Sequence, residues 1–258
     1  MKSRRFPMTI DEFQCLEWSL GWKYEYRDGY AHISPREAVM RCAMPVRRHA
    51  TTHPVVALEP FVQADKDALI QSSVTAFRDG IEYCDWPVMK IREDAEATVE
   101  GFFAGRRGEP LAASRVLHGG NGSSRPLLGA LLVVDTGENR ALLDLLFLVP
   151  EYQRRGLATA MAESAVNALQ DMGFETLESQ YQLGNEASRA WHHRFGFLDR
   201  PDLQIARTLL AHARHELERQ EREKPEKRED LSSLEAEVAF WEAEVQRLDA
   251  AEDECGSK

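Results

Sequence analysis

The amino-acid sequence predicts an α+β fold: a mixed, mostly antiparallel sheet flanked by helices, with a helix and β-hairpin before it and an antiparallel helical hairpin after it. Three observations carry this expectation. "LLGALLVVDTG" and "RALLDLLFLVP" are long apolar runs joined around Thr136-Gly137-Glu138-Asn139, the pattern of a buried antiparallel pair. After Gly156 the apolar positions Leu157, Met161, Ala165, Leu169 and Met172 recur at helical spacing, and Gly173 closes that helix. Near the end, Leu231, Leu234, Val238, Trp241, Val245 and Leu248 step by three and four residues, a heptad seam.

The remaining elements follow in order. Residues 1–53 form the first zone. Thr9 with Glu12 three residues on is a capping box for a short helix. "WKYEYRDGYAHI" is a hairpin about Asp28-Gly29, a pair that accepts positive φ, and "AVMRCAMPV" is a candidate third strand. Residues 54–206 form the central domain. "VVALEPF" is a strand, "QADKDALIQSSVTAF" and "DAEATVEGFFAG" are helices, "PLAASRVL" is a strand and "HGGNGSSRP" a loop. After the long strand pair and its helix come the strand "TLESQYQL" and the short helix "NEASRAWHHRF". "LQIARTLL" is either a further strand or the root of the next helix. Residues 207–258 form the third zone, where Leu210, Ala213, Leu217, Gln220 and Lys224 give a weaker matching seam and Pro225 interrupts the helix.

Composition narrows the function. The net charge is −11 over 258 residues, which argues against nucleic-acid or anionic-membrane partners. The third zone carries nine Lys/Arg against fifteen Asp/Glu, a solvated charged surface on packing helices. Cys15, Cys42, Cys84 and Cys255 are scattered without a CxxC, so neither a disulfide framework nor a zinc site is expected and a reducing, cytoplasmic setting fits. The basic start "MKSRRFPMTIDEF" has no apolar segment behind it, and no run reaches the length of a membrane span.

One stretch asks for a ligand. In "PEYQRRGLATAM", Arg154 and Arg155 precede a helix whose first backbone N–H groups have no helical acceptor and already favour an anion. Gly156 and Ala158 are small enough for close approach to the backbone. A phosphate-bearing ligand accounts for the two arginines.

Gln153-x-x-Gly156-x-Ala158 is similar to the acetyl-coenzyme A signature of the GNAT N-acetyltransferase superfamily. Asn185, Ser188, Trp191, Gly196 and Phe197 fall at the offsets of that family's second motif. The resemblance covers about residues 55–205 and implies a GNAT-like fold and an acyltransferase. It implies that the backbone of Arg154, Arg155, Gly156, Leu157 and Ala158, with the Gln153 side chain, holds the coenzyme A pyrophosphate. It further implies that main-chain groups of Leu146 and Leu148 pair with the pantetheine arm, where the family's fourth strand parts from its fifth. Asn185 would contact the cofactor there; from spacing alone it is equally a helix N-cap. The family's usual tyrosine, which protonates the leaving thiolate, is His192 here, so His192 is a candidate acid or a packing residue.

Amine chemistry sets the other demand. A lysine-like amine, pKa about 10.4, must lose a proton before attack, at a cost of about 4 to 5 kcal/mol at pH 7. Asp144 interrupts the run "ALLDLLFLVP", at a strand position where the family often has a glutamate, and is the expected base; otherwise it faces the open side of the strand or pairs with an arginine. Glu178 is the second choice. The loop "FRDGIEYCDWP" offers Asp79, Glu82, Asp85 and Trp86 to a cationic acceptor, or is an ordinary polar loop.

Two other patterns are weaker. His212, His215 and Glu216 share a helix face that could hold a metal, but such spacing is common on helix surfaces and no metal is expected. Residues 8–36 are similar to the start of a small nuclease family with a restriction-endonuclease-like fold, yet no Glu-x-Lys on a strand follows, and an accessory hairpin is the preferred assignment. The sequence therefore predicts transfer of an acetyl group from acetyl-CoA to a primary amine, with a possible homodimer or partner through the C-terminal hairpin. The alternative is a catalytically weak acetyl-CoA sensor or scaffold whose helical hairpin binds a partner.

Overall fold

The computed structural model describes residues 2–50, 57–120, 125–222 and 231–256. Its elements run β1 (Arg4–Pro7), α1 (Ile10–Gln14), β2 (Trp22–Arg27), β3 (Tyr30–Pro35), β4 (Val39–Pro45), β5 (Leu58–Pro60), α2 (Lys66–Phe77) and α3 (Val88–Phe103). They continue with β6 (Glu109–Pro110), β7 (Arg115–His118), β8 (Leu127–Gly137), β9 (Arg140–Leu148), α4 (Leu157–Asp171), β10 (Thr176–Gln182), α5 (Glu186–Phe195), β11 (Leu198–Arg200), α6 (Leu203–Arg222) and α7 (Ser232–Gly256). No helix among the described residues is long and apolar enough to cross a membrane. The chain divides into two compact units, residues 1–40, 181–189 and 199–258, and residues 41–180 with 190–198.

In the first unit the capping box forms as expected: Thr9 Oγ1 accepts from the Glu12 N–H, and Glu12 Oε2 accepts from the Thr9 N–H. Asp28 (φ 52°) and Gly29 (φ 78°) make the tight turn between β2 and β3. The sheet there is ordered β1-β3-β2. β1, "RRFP", has no alternation to mark it as a strand and was not expected. "AVMRCAMPV" is a strand, β4, but it belongs to the larger sheet rather than to this hairpin. "LQIARTLL" resolves as helix, the start of α6. α6 runs through the expected boundary at residue 206. Residues 1–40 of the first zone fall in this unit together with the third zone. α6 and α7 are antiparallel, as Arg207 reaches Asp249 at 2.8 Å and Arg214 reaches Glu242 at 2.7 Å. Pro225, and part of the loop "HGGNGSSRP", lie outside the described residues.

The second unit is built on a sheet in the order β4-β10-β9-β8-β7-β5, with β6 on β8. β8 and β9 pair antiparallel across the two-residue turn Glu138-Asn139, both at positive φ. β10 runs parallel to β9. One face of the sheet, with Ala130, Leu132 and Val134 of β8 and Phe147 of β9, packs on Ile70 and Val74 of α2 and on Ile91, Ala95 and Val99 of α3. α4 packs on β8 and β9 with Met161, Ala165 and Leu169 fully buried. The strand expected over "PLAASRVL" shortens to β7, because Leu111–Ser114 turns.

Candidate active site

Two irregularities in the sheet build the site. The first is a bulge. Leu132 pairs with Leu145 and Val133 with Leu143, so Asp144 is the extra residue of β9. A bulge breaks the strict alternation of faces. Asp144 and Leu145 therefore line one cavity, on the face covered by α2 and α3.

The second irregularity is a parting of strands. The parallel ladder runs from Thr176 opposite Arg140 to Glu178 opposite Leu142 and ends there, while β9 continues to Leu148. The Val149 N–H donates to Leu128 O, on the β8 side. By the alternation of an antiparallel ladder, Leu146 and Leu148 turn their backbone groups the other way, toward the gap. The Leu148 carbonyl already accepts from Gln153 Nε2 at 2.9 Å, so the loop is tied back to the strand end. Gly129 stands opposite Leu148 on β8; a Cβ there would lie 2.5 Å from the Leu148 side chain and 2.7 Å from Phe147 O.

The loop itself, 150–156, is short and shaped by its backbone. Pro150–Tyr152 is a 3-10 turn, Arg154 is left-handed (φ 59°), and Gly156 (φ 78°) caps α4 without a side-chain hydrogen bond. Ala160 N–H makes the first helical bond, to Gly156 O. The N–H groups of Leu157 and Ala158 precede it and have no helical acceptor. Gln153, Arg154 and Arg155 are exposed, with the Arg155 guanidinium 5.1 Å over the Tyr152 ring. Donors without a side-chain cap, two arginines and a left-handed glycine fit a phosphate group.

Asp144 is the charge inside the apolar run. Its side chain is 1% exposed and paired with Arg107, whose side chain is 45% exposed. Arg107 also donates to the Asp144 main-chain oxygen at 3.2 Å. Burial pushes the Asp144 carboxyl above the usual carboxylate range, and Arg107 opposes that shift. Asp144 Oδ1 has no well-formed hydrogen bond. The cavity it faces is about 210 Å³, lined by Val74, Ile91, Ala95, Val99 and Leu145 and also by Glu82 and Tyr83.

The residues of the loop "FRDGIEYCDWP" are placed unequally. Glu82 lines the cavity; Asp79 is exposed and paired with Arg78. Asp85 (φ 65°) shapes the turn into α3, and Trp86 carries Lys90 Nζ 3.9 Å over its ring and packs against the core. Tyr83 was missed. Its hydroxyl donates to Asp94 Oδ2 at 2.6 Å, and burial first, then Asp94, raises its pKa. An aromatic between acidic residues in a loop gives little sequence signal, because only α3 brings Asp94 to it.

His192 is buried, 4% exposed, with Nε2 at 2.9 Å from Ser179 Oγ and its ring edge-on to Trp191 and Phe197. Ser179 is the first residue of β10 beyond the ladder, and it was not singled out from sequence. Glu178 is held by Arg140 at 3.5 Å. In the first unit, Asn185 Oδ1 accepts from the Ser188 N–H and caps α5. There too, His212 and His215 donate from Nε2 to the carbonyls of Trp18 and Leu16, so both rings are structural. Among the described residues there is no group of three metal-ligating side chains.

Residues 72–197 match the model of the Acetyltransferase (GNAT) family. No functionally curated protein matches the chain. Among solved structures, the ribosomal-protein-S18-alanine N-acetyltransferase of Escherichia coli is 21% identical, with 56% of this chain and 79% of that one covered and a TM-score of 0.41. The PaiA N-acetyltransferase of Thermoplasma acidophilum, in complex with coenzyme A, is 15% identical, with 56% and 91% covered and a TM-score of 0.46. A GNAT family acetyltransferase of Brucella melitensis, in complex with acetyl-CoA, is 17% identical, with 58% and 93% covered and a TM-score of 0.41. Residues 72–197, which hold the bulged strand, the Gln153–Ala158 loop and α4, belong to the GNAT acetyltransferase family.

Proposed function

We propose that this protein transfers an acetyl group from acetyl-CoA to a primary amine by direct attack, with Asp144 as the base. The observation that carries the proposal is the bulge: it delivers one buried carboxylate to a small apolar cavity beside the point where β9 and β10 part. Acetyl-CoA supplies an activated acyl group and a thiol leaving group. The loop from Gln153 to Ala158 binds its pyrophosphate through the free N–H groups at the start of α4, with Arg154 and Arg155 adding charge. Leu146 N–H and C=O, with Leu148 N–H, turn toward the gap and would hold the pantetheine arm as an added strand. Leu148 C=O has its partner in Gln153, so Gln153 acts by fixing the loop.

Asp144 takes the ammonium proton. Freeing that lone pair costs about 4 to 5 kcal/mol at pH 7 in water. A carboxylate held by burial above its ordinary pKa offsets part of this, because it binds a proton more readily than an exposed one. Ser179 and His192 stand on the other face of the sheet. By the register, Glu178 shares Leu142's face with the α2–α3 core, and Ser179 points opposite. We assign the His192–Ser179 pair to proton donation toward the departing thiolate. The burial of His192 and its bond to Ser179 equally suit a packing role, and that observation supports the second reading, an acetyl-CoA sensor with weak catalysis. An amine panel with free-thiol detection separates the two: amine-dependent thiol release supports the transferase, and tight acetyl-CoA binding without release supports the sensor.

A further inference from the structure

We propose that the cavity over Asp144 accepts a compact primary amine on an apolar body, and that Arg107 is the resident counter-ion which the incoming ammonium replaces. This rests on the acetyl-transfer reading and adds the substrate class and a specificity residue to it.

The exposure of the two partners is unequal, and that decides which can leave. Asp144 is 1% exposed on a strand of the central sheet and cannot reach water. An ionised carboxylate at that depth requires a cation at all times. Arg107 is 45% exposed and stands on the turn between α3 and β6, between Gly105 (φ 64°) and Gly108 (φ 142°). Its long stem can release the carboxylate into solvent at little loss, since an exposed guanidinium is well hydrated. Exchange of one cation for another keeps the buried charge balanced. It also moves the guanidinium away from a carboxylate that must take up a proton. Arg107 of this turn pairs with Asp144, and Glu82 and Tyr83 of the α2–α3 loop line the same cavity.

The walls select the rest of the molecule. Val74, Ile91, Ala95, Val99 and Leu145 offer apolar surface in about 210 Å³. Glu82 is a second acidic group at the cavity. Arg107 is the one cation among the described lining residues, and in the exchange it is displaced. A carboxylate beside the amine would then meet Glu82 and Asp144 with no cation fixed against it. The cavity therefore suits an arylalkylamine or branched alkylamine and disfavours the matching amino acid.

Calorimetric titration of the full chain, with coenzyme A present, tests this with phenethylamine and phenylalanine as probes. Phenethylamine should bind and phenylalanine should not. Arg107→Gln should tighten phenethylamine roughly two- to tenfold and lower its KM by the same factor, with a smaller change in kcat. Asp144→Asn should weaken it at least about tenfold in a protein that remains folded by circular dichroism. Unchanged or weaker amine binding in Arg107→Gln would overturn the exchange. So would phenylalanine binding that is lost in Arg107→Gln, which would make Arg107 a carboxylate receptor. Binding is read without turnover. If phenethylamine binds as described but no thiol is released from acetyl-CoA, the transferase reading fails and the cavity assignment stands.

Discussion

Glu178 sits opposite Leu142 in the last rung between β10 and β9, and the next residue of β10, Ser179, turns to the other face and meets His192 at 2.9 Å. Two residues beyond Leu142, the bulge aims Asp144 at the first face. The sheet thus carries an acid–base candidate on each side of the place where its central ladder stops. A thioester lying in that gap would have a proton acceptor on one side and a donor pair on the other.

Asp144→Asn gives the first prediction. The amide cannot accept the ammonium proton, so kcat should fall about 10²- to 10⁴-fold with acetyl-CoA affinity unchanged. In the wild type, kcat/KM should fall as pH drops through the raised Asp144 pKa. Stability should move the other way from activity. A carboxyl raised in the folded state keeps its proton longer than in the unfolded chain. Its ionisation therefore costs stability as pH rises from about 3.9 toward the folded value, and the cost is complete above it. Asp144→Asn should melt higher than wild type at pH 7, and its stability should vary less with pH over the acid range. A lower melting temperature at neutral pH would show that the Arg107 pair outweighs burial.

The His192–Ser179 pair gives the second. His192→Phe should lower kcat roughly ten- to a thousand-fold with little change in acetyl-CoA affinity. It also strands the Ser179 hydroxyl, at about 1–3 kcal/mol of stability. Ser179→Ala should lower kcat in the same direction, and His192→Tyr should retain activity, because a phenol can also donate. Urea unfolding beside steady-state kinetics distinguishes the roles: variants that lose stability while keeping the wild-type kcat would make His192 a packing residue.

At the loop, Gly156→Glu should abolish acetyl-CoA binding in a folded protein. It places a carboxylate where the free N–H groups collect, and it forces a side chain into φ 78°. Calorimetry with coenzyme A gives the answer, and an unchanged affinity would move the pyrophosphate site elsewhere.

The legible parts of this molecule were those specified locally. Thr9 and Glu12, Asp28-Gly29, and Gly156 with the apolar repeat behind it each encode their element within a few residues. Asp144 stood out as a charge in an apolar run, and pairing with an arginine was one of its foreseen fates. That the partner is Arg107, from a turn 37 residues earlier, was not legible, because only the packing of α3 on the sheet brings the turn to β9. The bulge was equally hidden, since it is a relation between two strands. Tyr83 and Ser179 were missed for the same reason: their partners, Asp94 and His192, lie 11 and 13 residues away on other elements. The two seams announced an antiparallel helical hairpin, and the Arg207–Asp249 and Arg214–Glu242 pairs run in that direction.

The helical pair gives the fourth prediction. Trp241 is half-buried and shares a cavity in the first unit with Leu209 and Leu234. Trp241→Ala should cost roughly 1–3 kcal/mol in urea unfolding, less than a fully buried tryptophan. Deletion of residues 223–258 should lower the melting temperature or raise the mass in solution, because the apolar face of α6 loses its cover. A truncated protein with unchanged mass and melting temperature would make α7 dispensable to the fold.

The central claim is that a buried carboxylate on a bulged strand drives amine acetylation. The direct measurement is free-thiol release from acetyl-CoA across an amine panel, in wild type and Asp144→Asn, with acetyl-CoA affinity measured on both. The account predicts amine-dependent release in the wild type and a loss of about 100-fold or more in Asp144→Asn at equal affinity. Equal rates in the two proteins, or tight acetyl-CoA binding with no release from any amine, would contradict it.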